Sequence, residues 1–308
     1  MDKTKRGIAL FITLLVIASI LSIVAVSFSY LEKVRKDAGR MSAIIQGNLF
    51  YKNTTDILKR FFPKDKADSK KLDMIYNMPL MLSEPKSGFN INLQCKPLMV
   101  GVPIKWLDES FTKKHPSRLD LARDVLSEII EKYEIAEPNR LEELIFAEIA
   151  GTDREDSEYE KRLKEKKGIV SKKQFDRVIL NYRLRYDDDK VFKIPWERYF
   201  VFVDVAKDAT IDGAYITAEL ISVAFDIPLE SVQDVWLVDK EMDEKKMTLV
   251  EYLAQNASGE VINKKLFSQK ALNAMHCEER YYYRNSYYSF SFDYSKERST
   301  NFEFNGEL

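Results

Sequence analysis

Histidine and cysteine are scarce in this chain: His115, His276, Cys95 and Cys277 are all that 308 residues contain. Two histidines leave little material for zinc or iron chemistry, and two cysteines exclude a disulfide-dense scaffold. Glycine (10) and proline (9) each make up only about 3% of the chain, which argues for long uninterrupted elements, mostly helical, over a turn-rich β-sandwich. A charge excess is missing as well. Forty-eight lysines and arginines face 49 aspartates and glutamates, a formal −1, so the chain is not built as a polycation and nucleic acid is not an expected partner. The patterns G-x-x-x-x-G-K-S/T, G-x-G-x-x-G, G-x-S-x-G and H-E-x-x-H are all absent. That removes the familiar phosphate cradles, the nucleophile elbow and the zincin helix, so no catalytic or metal-ligating residue is assigned and the chain is not read as an enzyme. With 45% apolar residues it is not disordered, and its length suffices for one large core or two medium ones.

What is present is sharply asymmetric. Asp2-Lys3-Thr4-Lys5-Arg6 carries charge, and Ile8 to Leu31 then runs without Asp, Glu, Lys or Arg. A bilayer core takes about 20 apolar residues, so this run predicts a single span, with the rest of the chain on one side. A secretory signal peptide has a shorter apolar region, of about 7–15 residues, ending in small residues; here the run ends in Ser27-Phe28-Ser29-Tyr30-Leu31. Lys3, Lys5 and Arg6 favour a cytoplasmic N-terminus, while Lys33, Arg35, Lys36 and Arg40 beyond the span blur the count. No proline appears before Pro63, and Val34, Ala38, Met41, Ile45 and Leu49, then Phe50, Thr54, Ile57 and Phe61, recur in steps of mostly three or four. One helix from Ile8 to Phe62 is predicted, about 80 Å long, greasy all round in its first half and amphipathic in its second, with bends expected at Gly39 and Gly47. The other reading of the pattern is an anchor followed by a separate stalk or coiled coil.

Lys5-Arg6-Gly7 followed by Ile8-Ala9-Leu10-Phe11-Ile12-Thr13-Leu14-Leu15 resembles the prepilin processing site of type IV pilins and type II secretion pseudopilins. There a short basic leader ends in glycine and a membrane peptidase cuts after it. The resemblance implies a cut between Gly7 and Ile8, with Arg6, Gly7 and Ile8 as the processing residues. In most pilins a glutamate stands fifth in the mature chain, where its carboxylate can meet the N-terminal amine of the subunit above. This sequence has Ile12 there. A subunit with nothing above it has no use for that carboxylate, and the chain in this respect resembles the type II secretion minor pseudopilin K (general secretion pathway protein K) family, whose members sit at the filament tip. Ile12 is then the filament-position determinant.

The family implies an α+β fold: a long N-terminal pilin-type helix and a small antiparallel sheet head interrupted by a mostly helical insertion domain. The rest of the chain follows that order. Phe89-Asn90-Ile91-Asn92-Leu93 alternates as a strand and resembles the family's Asn-x-Asn strand. Ser117 with Asp120, Asn139 with Glu142, and Ser171 with Gln174 read as the N-terminal signals of three helices, the second ended by Gly151. Asp153 to Lys167 is charged enough for a solvated helix or loop. Arg198 to Val205 is β-prone, and Ala209 to Leu220 resembles the family's Asn-x-Asn-Thr-Ala stretch leading into a helix, without its asparagines. Short helices are expected beyond Pro228 and over 247–256. At the C-terminal end Tyr288, Phe290, Phe292 and Tyr294 alternate with Ser289, Ser291 and Asp293, predicting one buried and one wet face, then a polar loop at Lys296–Thr300 and a last strand at Phe302-Glu303-Phe304. Reading the aromatics with Arg280 and Arg284 as a base-stacking platform is the weaker alternative, given the acidic residues nearby. The expected segments are a leader at 1–7, the long helix at 8–62, the first part of the head at 63–110, a helical insertion at 111–190, a strand and second helical part at 191–257, and the C-terminal strands at 258–308.

The resemblance also places the head in the periplasm and the anchor in the inner membrane. Cys95 and Cys277 would then stand near strands of one sheet, either joined as a disulfide or as two buried thiols. No cofactor is required. Related pseudopilins bind calcium, and Asp187-Asp188-Asp189 is either a collector of that ion or a solvated turn. Expected partners are other minor pseudopilins, the filament assembly platform, the prepilin peptidase and the bilayer. The function implied is promotion of filament assembly and protein secretion by a tip subunit. The alternatives are a minor pilin of a type IV pilus or DNA-uptake system, or a single-pass membrane-anchored periplasmic scaffold.

Overall fold

The computed structural model describes residues 2–63, 68–84, 89–151, 168–236, 247–256, 263, 265–283 and 286–307, with the backbone alone for 2–12, 82–84, 89 and 307. The charged stretch 153–167 and Arg284 lie outside the described residues. Helix α1 (Asp2–Phe61) is 60 residues long and unbroken. At 1.5 Å per residue it spans about 90 Å. Nothing in it lacks an amide donor, Lys59 and Arg60 oppose its C-terminal dipole, and Pro63 follows its last turn. The bends expected at Gly39 and Gly47 do not interrupt it. Gly47 answers a packing need instead: a Cβ there would lie 2.8 Å from the Tyr281 hydroxyl.

After α2 (Ser69–Asn77) the chain builds a small antiparallel sheet from β1 (Leu80–Glu84), β2 (Phe89–Pro97), β5 (Ala274–Tyr283), β6 (Ser286–Ser295) and β7 (Arg298–Glu307), in that spatial order. The fold is α+β. The described residues between β2 and β5 form an insertion, holding the parallel pair β3 (Val102–Pro103) and β4 (Phe200–Val201) and a set of helices. These are α3 (Glu109–Thr112), α4 (Pro116–Lys132), α5 (Pro138–Ala150), α6 (Lys172–Tyr186), α7 (Ala218–Phe225), α8 (Leu229–Trp236) and α9 (Leu249–Asn256).

Local chemistry sets the helix starts, and two differ from expectation. Ser117 and Asn139 are not caps: α4 and α5 begin one residue before them with Pro116 and Pro138, after His115 and Glu137. A proline's fixed φ and missing N–H suit the first helical position, so it outranks a capping side chain next to it. Ser171 does cap α6, its hydroxyl accepting from the Gln174 N–H at 3.2 Å, while the Gln174 side-chain Oε1 accepts from the Val170 N–H at 3.1 Å. Gly151 ends α5 in the left-handed region. The strand expected over Arg198–Val205 shrinks to β4, two residues long. Its partner β3 contains Pro103, which donates nothing, and turns at once into a 3-10 helix over Ile104–Leu107.

In the C-terminal sheet the prediction of one wet face fails: Ser289, Ser291 and Asp293 are buried together with the aromatics. Their short side chains lie opposite Arg280, Glu278 and His276 on β5, and Ser291 also faces Glu303 on β7, so longer neighbours cover them. The loop expected over Lys296–Thr300 is a two-residue turn. Ser295 pairs with Arg298, and Lys296 and Glu297 both take positive φ (50° and 63°), the geometry that matches the twist of a tight hairpin.

Two cores result. One lies between α1, α2 and the sheet, around Phe50, Leu58, Leu72, Tyr281, Phe290 and Phe292. The other runs through the insertion, around Trp106, Ile129, Ile145, Phe175, Tyr199 and Tyr252, drawing on segments that the sequence placed in three separate parts. Asp212 knots the join. Fully buried, it accepts from the Ala214 and Leu272 N–H groups, both at 2.9 Å, while its own N–H reaches the Met99 carbonyl at 2.7 Å. Tyr215 then donates to Asp73 of α2 at 2.7 Å, and burial, with that carboxylate beside it, raises the Tyr215 phenol well above its ordinary range.

Candidate functional site

Helix α1 divides along its length and around its circumference. Its apolar half is exposed from Thr13 to Leu31, and by length and composition it can cross a membrane. The hydroxyls of Ser19, Ser22 and Ser27 donate to the carbonyls four residues back at 2.8–2.9 Å, so these polar groups are satisfied without water. A charged collar follows at Glu32, Lys33, Arg35, Lys36, Asp37 and Arg40. Beyond it, Ala43, Gly47, Phe50, Thr54 and Leu58 form a buried face. At 3.6 residues per turn, Val34, Ala38, Met41, Ile45 and Leu49 lie on the opposite side, and all five are exposed. The periodicity that reads as one amphipathic face is therefore two. The outer stripe covers about 22 Å and then gives way to Lys52, Asn53, Asp56, Lys59 and Arg60.

The inner face is locked to the sheet. Tyr281 of β5 donates to the Ala43 carbonyl at 2.6 Å and packs edge-on to Phe50 at 5.2 Å. Tyr51 lies among Phe290, Phe292 and Phe302 and donates to Ser299 at 2.8 Å. Thr54 donates to Glu279 at 2.7 Å, and Tyr294 to the Phe62 carbonyl at 3.3 Å. Burial pushes the Tyr294 phenol up to about 12. These contacts fasten the helix to the head from Ala43 to Phe62.

Cys95 and Cys277 face each other in register on β2 and β5 and form a disulfide with S–S 2.00 Å and Cα atoms 4.0 Å apart. Their sequence separation of 182 encloses the entire insertion. The bond sits two residues from the end of β2 and three from the start of β5, so it fastens the strands from which the insertion hangs. Arg6, Gly7, Ile8 and Ile12 lie within the continuous backbone of α1, and their side chains lie outside the described residues.

Two carboxylates of the aspartate triplet, those of Asp188 and Asp189, are engaged by the fold. Asp187 ends α6 in the left-handed region. Asp188 is buried, accepting from the Ala136 and Lys190 N–H groups at 2.9 and 3.0 Å, and Asp189 pairs with Arg183 at 2.7 Å. Among the described residues no group of three or more His, Cys, Asp or Glu converges as for a metal ion. His276 pairs with Asp293 at 2.7 Å, and Arg280 with Glu278 at 2.9 Å. A cavity of about 230 Å³ opens at the join of sheet and insertion, lined by Asp204 and Asp208 among others. Both carboxylates are paired, with Lys105 and Lys296, and Lys296 holds Asp208 below the usual carboxylate range.

Sequence reasoning missed Asp212 and Glu279 in this arrangement and took Gly47 for a bend where it serves close packing. Glu279 was visible in principle, since it falls between Cys277 and Tyr281 on the alternation of β5 that faces the core. A carboxylate on a buried register is the signal. No family model matches this chain, and no curated protein matches it.

Proposed function

We propose that the protein is a minor pseudopilin, a bilayer-anchored subunit at the tip of a type II secretion pseudopilus that promotes filament assembly and protein secretion. The observation that carries this reading is the geometry of α1: one unbroken helix whose apolar span continues past the charged collar as an exposed stripe opposite the face docked on the sheet. A separate stalk or tether would place a break at the bilayer exit, and α1 has none there. In the proposed filament, the leader is removed after Gly7, the greasy half leaves the bilayer, and Val34, Met41, Ile45 and Leu49 bury against the equivalent helices of smaller pseudopilins. The insertion adds bulk that obstructs a further subunit above it. Ile12, in place of a carboxylate, asks for no neighbour there. The head lies in the periplasm and the anchor in the inner membrane, and the disulfide suits that oxidising compartment. The partners are the other minor pseudopilins, the assembly platform and the prepilin peptidase. The role is assembly, with no catalysis.

Because Ile45 and Leu49 are exposed, replacing both with aspartate leaves the folded head intact. The double variant is expected to keep the wild-type unfolding midpoint while losing cross-linking to smaller pseudopilins and supporting no secretion. Normal cross-linking and secretion by this variant would count against the filament interface.

A further inference from the structure

Glu279 is fully buried on β5, in the seam between the sheet and α1. One carboxyl oxygen accepts from the Thr54 hydroxyl at 2.7 Å; the other is buried with no hydrogen-bond partner among the described residues. Its register neighbours are Leu93 on β2 and Phe290 on β6. Along β5 the same face carries Cys277, held in the disulfide, and Tyr281. From α1 the same core receives Phe50, Leu58 and Tyr51, from α2 Leu72 and Ile75, and from β7 Phe302 and Phe304. The titratable groups that α1, α2 and the sheet add to this core are phenols: Tyr51, bonded to Ser299; Tyr76, bonded to the Ala274 carbonyl; Tyr281, bonded to the Ala43 carbonyl; Tyr288, stacked on Tyr281; Tyr294, bonded to the Phe62 carbonyl; and Tyr283. None of them supplies a positive charge.

An ionised carboxylate with one bare oxygen in such a seam is costly, whereas the neutral acid is not. We propose that Glu279 is a proton-operated latch: its protonated form holds α1 on the sheet, and its ionised form loosens that seam. Burial raises the Glu279 carboxyl to about 7 from an ordinary 4.5, the Thr54 hydroxyl partly opposing the rise. Between those two values the folded chain binds more protons than the unfolded one, so the stability from this group is full below about 4.5. It falls as pH rises to about 7 and stays at the lower level above. A pH change across the neutral range in the compartment around the head would then alter how firmly the long helix is held. The latch does not rest on the filament reading and acts equally in an anchored scaffold.

The test uses the full chain in detergent. Glu279→Gln keeps the shape of the neutral acid. It is expected to raise the unfolding midpoint by about 3 °C or more at pH 8, with the gain vanishing towards pH 4.5. A merely structural role would not produce a second effect: Thr54→Val, which removes the hydroxyl favouring the ionised form, is expected to shift the titration of the Glu279 carboxyl carbon in NMR to higher pH. A difference between Glu279→Gln and wild type that is constant with pH, or a Glu279 resonance titrating in the ordinary carboxylate range, would overturn the proposal.

Discussion

Replacing Cys95 and Cys277 together by alanine is expected to lower the unfolding free energy by up to about 5 kcal/mol in the chain-entropy description of a cross-link. The size follows from the enclosed length: with a sequence separation of 182, the bond restricts more than half of the unfolded chain. Both residues are fully buried, so the change also removes packing between β2 and β5. The location adds a second expectation. Because the bond fastens the two strands that carry the insertion, its removal should let the sheet core and the insertion core separate as unfolding units. Denaturant unfolding followed with and without reductant measures both effects. A loss below about 1 kcal/mol would show that the strand ladder alone holds the base of the insertion.

Phe290→Ala is expected to cost about 3–5 kcal/mol, the usual penalty for emptying a large aromatic site that cannot collapse. Phe290 is fully buried on the interior strand β6 and meets Tyr51, Tyr281, Phe292 and Phe302 with ring centroids 5.4–6.2 Å apart. One partner belongs to α1, another to β5 and a third to β7, so no single element can move in to fill the space without pulling away from the others. Equilibrium unfolding in detergent reads the cost directly. A double-mutant cycle with Tyr51→Ala isolates the share that holds the helix on the sheet. A cost below about 1 kcal/mol would mean that the seam repacks, contrary to the rigid docking inferred from these contacts.

Much of the fold can be read in the chain, and the reasons are local. The charge-free run and the absence of proline before Pro63 dictate α1, and alternation dictates β2 and β6. Apart from the two helix starts and the tight hairpin turn, which local chemistry decides, the errors share one cause: contacts between residues far apart in the chain. Tyr281 explains Gly47, 234 positions earlier, which a helix pattern can only score as a weak point. Burial of Ser289 and Ser291 depends on strands paired from elsewhere, and β4 is cut short by the proline of its partner. The division of the second half of α1 into a docked and a bare face needed the sheet in place, since both faces are apolar. The candidate site was legible as a helix and a pair of cysteines. Which face of the helix stays free was not.

The most direct test of the central claim is the N-terminal sequence of the membrane-extracted protein from cells with and without prepilin peptidase. The account predicts a chain beginning at Ile8 when the peptidase is present and at Met1 when it is absent. Met1 in both strains would contradict it.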